Sequence, residues 1–160
     1  MTNSLFTDTR FSPLWLLARI YIGYDWLMAG WGKFTNPAWI GSDAGTAITG
    51  FLNGALQKTA GAHPDVSAWY AAFIQNIALP HPVIFSYLVT YGEMAVGLGL
   101  IFGLYTGLAA FFGAFMNFNY LFAGTISTNP IMILLQIPLI LAWKTAGWLG
   151  LDRFRKTISR

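Results

Sequence analysis

The chain has no cysteine among its 160 residues. That excludes a disulfide framework, thiol redox chemistry, and any zinc or iron–sulfur site ligated by its own thiolates. Charge is scarce too, at 9% of residues, where a soluble domain carries about 25%. The two histidines, His63 and His81, both flank prolines outside the apolar stretches. A bis-histidine haem inside those stretches therefore lacks its ligands, and two histidines without a third donor read as loop residues and not as a metal site. No bound haem, flavin, iron–sulfur cluster or metal is expected on this chain. Electron transfer would have to use a diffusible carrier or a partner's cofactor. The net charge of +3 is scattered except for a cluster at the C-terminus, which does not describe a nucleic-acid surface. Hydrophobic residues, by contrast, make up 56%, with thirteen Phe, seven Trp and seven Tyr suited to lipid-facing packing and interfacial belts.

Four apolar stretches stand out, at residues 14–34, 83–103, 106–123 and 131–149. Each has the roughly 18–21 residues that a hydrocarbon core of about 30 Å requires at 1.5 Å per residue. The predicted fold is all-α: a polytopic membrane protein built as an antiparallel four-transmembrane-helix bundle, one membrane domain over residues 1–160. Leu104 and Tyr105 join the second and third stretches tightly, and residues 124–130, with Ser127, Asn129 and Pro130, join the third and fourth. The first stretch is too long and too charged for a cleaved secretory signal and is expected to remain as the first span. Arg10, Lys144, Arg153, Arg155, Lys156 and Arg160 fall on one side, Lys33 and Lys58 on the other. The positive-inside rule then places the chain in the cell membrane, multi-pass, with both termini cytoplasmic.

Residues 35–82 would lie outside, and they are too many for an ordinary loop. They hold two helical periodicities. One is Ile48, Phe51, Leu52, Ala55 and Leu56; the other is Val66, Trp69, Tyr70, Phe73, Ile74 and Ile77, opened by Pro64 with an N-cap at Asp65. Two short amphipathic helices are predicted, lying in the outer interface or folded over the bundle mouth as a lid.

The apolar stretches are not clean. Arg19 and Asp25 sit inside the first, Lys33 at its end, Glu93 inside the second, Asn117 in the third and Gln136 in the fourth. A charge at such depth costs roughly 2.5–3.5 kcal/mol on insertion scales and persists when it faces the bundle interior, pairs or handles an ion, proton or polar ligand. Asp25, Glu93, Asn117 and Gln136 come to similar depths, which points to a shared polar layer. Arg19, Gly23, Trp26, Gly30 and Lys33 share one helical face, with glycines that permit close approach. An Arg19–Glu93 ion pair between the first two spans is expected. Glu93 serves either as that structural partner or as a group that exchanges protons or binds ligand. Asp25 lies on a neighbouring face without an obvious partner, which favours a proton or ligand role. Lys33 reads as a snorkelling interfacial lysine, and Asn117 and Gln136 as interhelical hydrogen-bond partners. Pro138 should kink the fourth helix.

The pattern Arg19-x3-Gly23-x6-Gly30-x2-Lys33, followed by Gly92-Glu93 and Gly97, resembles the DoxX/DoxD membrane proteins. Gly113-x3-Asn117, Ser127-Thr128-Asn129-Pro130 and Gly150-Leu151-Asp152-Arg153 extend the resemblance over nearly the whole chain, and Trp69-Tyr70 in the long outer segment looks closer to the DoxD branch. The resemblance implies a membrane subunit of a thiosulfate:quinone oxidoreductase. Quinone would be the diffusible acceptor, and a DoxA-like or other redox subunit the partner beside the lipid bilayer and further copies of the chain. Within that reading Glu93, Asp25 and Arg19 are the candidate catalytic residues. Trp26, Lys33, Asn117 and Gln136 are the candidate quinone-binding residues. Two other classes compete: a small proton-coupled transporter, which buried carboxylates suit equally, and a membrane scaffold that anchors redox partners.

Overall fold

A computed structural model describes residues 4–154, and among these every regular element is helical. A short α1 (Ser4–Thr7) leads into the long α2 (Ser12–Phe34). The outer segment holds α3 (Thr46–Leu56) and α4 (Ala68–Phe73), the latter continued by a π-helical turn, Ile74–Ala78. Then come α5 (Pro82–Phe102), α6 (Thr106–Phe122) and α7 (Asn129–Leu141). Prolines in the first turn open α2, α5 and α7, where a missing N–H costs nothing.

Four helices, α2, α5, α6 and α7, pack in that cyclic order. Their register shows the directions. A Cβ added at Gly23 would meet Ile101, one at Gly97 would meet Leu27, and one at Gly30 would meet Met94, so α2 and α5 run antiparallel with backbones in contact. Gly107 faces Trp143 and Gly113 faces Gln136, which sets α6 against α7 in the same way. At Gly97 the added Cβ would stand 2.6 Å from the Leu27 nitrogen. Gly97→Ala is therefore expected to push the helices apart and cost about 1–3 kcal/mol. Gly32→Ala, with nothing within 4 Å of its Cβ, should be near neutral. Thermal denaturation of the two variants checks the contrast.

The exterior is apolar, and the interior, itself mostly apolar, carries buried charges and amides that a soluble bundle rarely holds. Leu17, Tyr24, Leu88, Phe111, Phe115 and Leu134 are exposed, whereas Arg19, Glu93, Asn117 and Gln136 are buried. Among the described residues α5 alone has both the length and the apolarity to cross a bilayer by those two measures. α2 is longer but carries Arg19, Asp25 and Lys33, and α6 and α7 have 17 and 13 residues.

The fourth stretch departs from expectation, because its helix ends at Leu141 and not near residue 149. Beyond Pro138 the N–H groups of Trp143, Thr145 and Trp148 turn to acceptors three residues back. The Thr145 hydroxyl donates to the Phe6 carbonyl at 2.8 Å, and the Leu149 carbonyl turns inward to Arg19. These contacts hold residues 142–149 as a chain of turns under the bundle.

The joint between α5 and α6 is as tight as the sequence suggested. Gly103 and Tyr105 both take left-handed conformations, at φ 63° and 49°. The Asp152 carboxylate returns to accept from the Tyr105 and Thr106 N–H groups, each at 2.9 Å, and so caps the start of α6.

Both outer helices form, and they fold over one end of the bundle with a core of their own, including Ile48, Leu52, Val66, Tyr70 and Ile74. Ser67, not Asp65, takes the N-cap position of α4. Val66 is buried and its N–H pairs with the Lys58 carbonyl, which holds residues 65 and 66 out of the helix. Three bonds tie this cap down: Tyr70 Oη to the Asn119 carbonyl at 3.0 Å, Lys58 Nζ to the Gly124 carbonyl at 2.7 Å, and Ser86 Oγ to the Trp39 carbonyl at 2.7 Å. Burial pushes the Tyr70 phenol up to about 12, so it remains a donor at physiological pH. Of the basic C-terminal cluster, Arg155, Lys156 and Arg160 lie outside the described residues.

Candidate functional site

Glu93, 1% exposed, is the centre of the polar interior. Its Oε2 pairs with Lys33 Nζ at 2.7 Å, and its Oε1 accepts from Tyr120 Oη at 2.5 Å. Lys33 Nζ also lies 5.1 Å from the centre of the Trp39 ring, a cation–π distance. Tyr120 is stacked on Trp26, with ring centres 6.5 Å apart, and meets the edge of Phe51 at 6.0 Å. One carboxylate thus joins α2, α5, α6 and the outer cap. A cavity of about 1280 Å³ opens beside it, walled by aromatic and aliphatic side chains such as Phe51, Phe85, Phe112 and Met116 together with Lys33, Glu93 and Tyr120. An ammonium, a phenol and a carboxylate on the wall of an apolar cavity can hold the polar end of a mostly apolar ligand and exchange a proton with it.

The expected Arg19–Glu93 pair does not form. Gly30 stands opposite Glu93, with an added Cβ only 3.1 Å from Glu93 Cβ. Lys33, one turn along, therefore reaches the carboxylate, while Arg19 lies about 16 Å from Gly30 in the other direction along the axis. There its Nη1 donates to the Leu100 carbonyl at 3.1 Å and its Nη2 to that of Leu149 at 2.7 Å. Asp152 adds an electrostatic contact. Arg19 clasps the end of the bundle opposite the helical cap and is remote from Glu93. Lys33 is not a snorkelling residue either, since its side chain is only 20% exposed and ion-paired.

The other site residues divide. Asn117 Nδ2 donates to Gln136 Oε1 at 2.8 Å, the interhelical bond expected of them. Trp26 is buried between this pair and Tyr120: its ring stacks on Tyr120, and its Nε1 and Gln136 Nε2 both border Gly113. Asp25 is half-buried on the cavity wall and has no hydrogen-bond or ion-pair partner among the described residues. No cluster of three metal-ligating side chains occurs among the described residues.

The DoxX family model matches residues 14–125. The chain belongs to the DoxX family. It is a membrane protein of that family, associated with the lipid bilayer. No curated protein and no solved structure matches it. The matched DoxX stretch holds Arg19, Trp26, Lys33, Glu93, Asn117 and Tyr120 and leaves out Gln136 and Asp152. Reading the sequence missed Tyr120 and Trp39 in this DoxX-family chain, and it noted Asp152 only within a family motif without its role at the start of α6. Tyr120 lies three residues beyond Asn117, on a neighbouring part of the same helical surface, but tyrosines are common enough here to hide it. Trp39 and Asp152 lie outside the helices they serve and gave no periodic signal.

Proposed function

We propose that this DoxX-family chain is the quinone-handling membrane subunit of an oxidoreductase. The observation that carries the reading is the Lys33–Glu93–Tyr120 group set in the wall of an apolar, aromatic cavity. A quinone is an apolar ring with carbonyl acceptors, and its reduction takes up two electrons and two protons. Lys33, whose ammonium keeps N–H donors beyond the one given to Glu93, polarises a carbonyl, Tyr120 orients the carboxylate, and Glu93 passes protons to the reduced oxygen. In this proposal α2, α5, α6 and the segment from α7 through the following turns cross the bilayer, with both termini cytoplasmic. The apolar exterior around buried charge supports that placement.

In the DoxD-like form of the proposal, two thiosulfate ions joined as tetrathionate release the two electrons. Lys33 is taken by Glu93 and Lys58 by the Gly124 carbonyl. Neither is free to receive the anion, which favours a partner subunit as the site of sulfur oxidation. The test is reduction of a short-chain quinone by thiosulfate, measured for the purified chain with and without its co-purified partner. Reduction that requires both, together with quinone binding to this chain alone, is the expected result. A well-folded chain that binds no quinone would end the reading. Asp25, an unpartnered carboxylate on the cavity wall, favours one alternative, a proton-coupled carrier. Solute uptake by proteoliposomes that falls in Asp25→Asn is the outcome that would select it.

A further inference from the structure

The cavity at Glu93 is larger than its polar site needs. At about 1280 Å³ it exceeds the roughly 300–1,000 Å³ of a pocket that encloses a drug-sized ligand. Its lining shows where the surplus lies. Phe85, Leu88, Gly92, Ala95, Gly99 and Phe102 line it from α5, and Leu108, Phe112, Phe115 and Asn119 from α6. Each series steps by three and four residues, so each is one face of its helix. The space therefore includes a groove along the α5–α6 seam, about 26 Å long from Phe85 to Phe102. Its two halves differ. In the half towards the cap, Phe73 meets the edge of Phe85 at 6.0 Å, Phe51 meets the edge of Tyr120 at 6.0 Å, and Tyr70 Oη donates to the Asn119 carbonyl. The other half runs from Glu93 towards the end that Arg19 clasps. Its walls are Leu98, Phe102, Leu108 and Phe112, each 40–57% exposed. Its floor is closed, since a Cβ on Gly99 would stand 3.0 Å from Ala109 Cβ. That half is shut at the back and open on the apolar exterior.

We propose that the open half of the α5–α6 groove is the channel through which the apolar chain of a membrane-resident ligand leaves the site, while its neutral polar head stays at Lys33 and Glu93. The inference rests on the quinone reading for the head and adds the substrate class: a ring that carries a long hydrocarbon chain and is taken from the bilayer. One cavity joins the groove to the Lys33–Glu93 pair. That pair has no net charge, so it suits a neutral head and not the phosphate of an ordinary phospholipid. From Glu93 to Phe102 is about 14 Å, nearly half of a hydrocarbon core of about 30 Å, so a chain laid there stays at acyl-chain depth. The chain gains little by exchanging lipid for groove, because both are apolar. The effect of the groove is steric: it lets a ring that carries a chain reach Glu93. Affinity within a membrane should then barely depend on chain length.

Ala95 is exposed on the groove wall, just beyond Glu93 on α5. Ala95→Phe should obstruct the open half and leave the core intact. Ala29→Phe is the control, at an exposed position on the α2 wall of the same cavity. The ligands are menadione and menaquinone-4, the same ring with an isoprenoid chain. Their binding is measured for the whole chain in nanodiscs, with empty nanodiscs subtracted, and each variant is compared with wild type for one ligand at a time, so partition into lipid cancels. Ala95→Phe should weaken menaquinone-4 by about tenfold or more, the scale of a steric overlap, and menadione by less than about twofold. Ala29→Phe should change neither. Equal loss of both ligands in Ala95→Phe would put the ring in the groove, and loss of neither would put the chain elsewhere; both overturn the proposal. So does a chain-selective loss in Ala29→Phe, or a wild type that binds menadione and rejects menaquinone-4. A wild type that binds neither ends the quinone reading itself and this inference with it. A photoreactive diazirine at the chain end reports position in wild type, without any variant, and decides the case in which menaquinone-4 alone binds. It should label residues 98–112, and unlabelled menaquinone-4 should compete. Labelling elsewhere overturns the proposal, and so does labelling that resists competition, which marks ordinary lipid contact.

Discussion

Glu93→Gln is expected to lower quinone reduction by about 10²–10⁴-fold, the range set by loss of a positioned acid–base group, while the far-ultraviolet spectrum stays helical. Glutamine keeps the shape, but its single carbonyl oxygen can accept from only one of Tyr120 Oη and Lys33 Nζ, the two groups that hold the two carboxylate oxygens at 2.5 and 2.7 Å. It cannot carry a proton to and from a ligand. The substitution also leaves the Lys33 ammonium without its counter-charge in a largely buried position, so a loss of stability accompanies the loss of activity. The double variant Lys33→Met with Glu93→Gln separates the two effects. It removes both charges together and should recover most of the stability with none of the activity. Recovery of turnover in the double variant, or turnover in Glu93→Gln within a few-fold of wild type, would reduce Glu93 to a structural ion-pair partner.

Arg19→Leu is expected to give the largest loss of stability, on the order of 3–5 kcal/mol, as when one partner is removed from a buried charged network. The guanidinium is fully buried, and it binds the Leu100 and Leu149 carbonyls from two segments far apart in sequence. Leucine would leave both carbonyls without that donor and remove the electrostatic contact between Arg19 and Asp152. Asp152 holds the first N–H groups of α6, so the α5–α6 joint should loosen as well. Denaturation midpoints measure the first effect, and amide exchange at Tyr105 and Thr106 measures the second. Quinone affinity should be nearly unchanged in whatever fraction remains folded, since Arg19 is far from Glu93. A variant as stable as wild type would show that water or another donor takes over those carbonyls.

Much of the helical layout was legible in one dimension. The 3.6-residue periodicities of Ile48–Leu56 and Val66–Ile77 are local, and so are the prolines that open α2, α5 and α7. The glycines Gly23, Gly30 and Gly97 announced a close helix contact before any coordinates did, because few other roles suit glycine inside an apolar helix. Depth put Asn117 and Gln136 in one polar layer as interhelical hydrogen-bond partners, and the structure shows that each is the other's partner. The end of α7 could not be read, because residues 142–149 are as apolar as the helix before them and only Thr145, Phe6 and Arg19 turn them aside. Tyr120 was missed for a similar reason. Its importance comes from standing opposite Glu93, and no spacing within α6 reports that.

By itself the sequence determined that charge would be buried inside an apolar, helical, cysteine-free chain, and that the buried groups would come from several helices. Residue type and periodicity suffice for this, since the cost of placing a charge in an apolar stretch does not depend on which neighbour relieves it. Only the tertiary structure decided the partners. Arg19 and Lys33 share one stripe on α2 and differ by about 21 Å along its axis, so either could have met Glu93 for a suitable register against α5. Backbone contact at Gly23, Leu27 and Gly30 sets that register. It delivers Lys33 to Glu93 and Arg19 to the carbonyls at the other end.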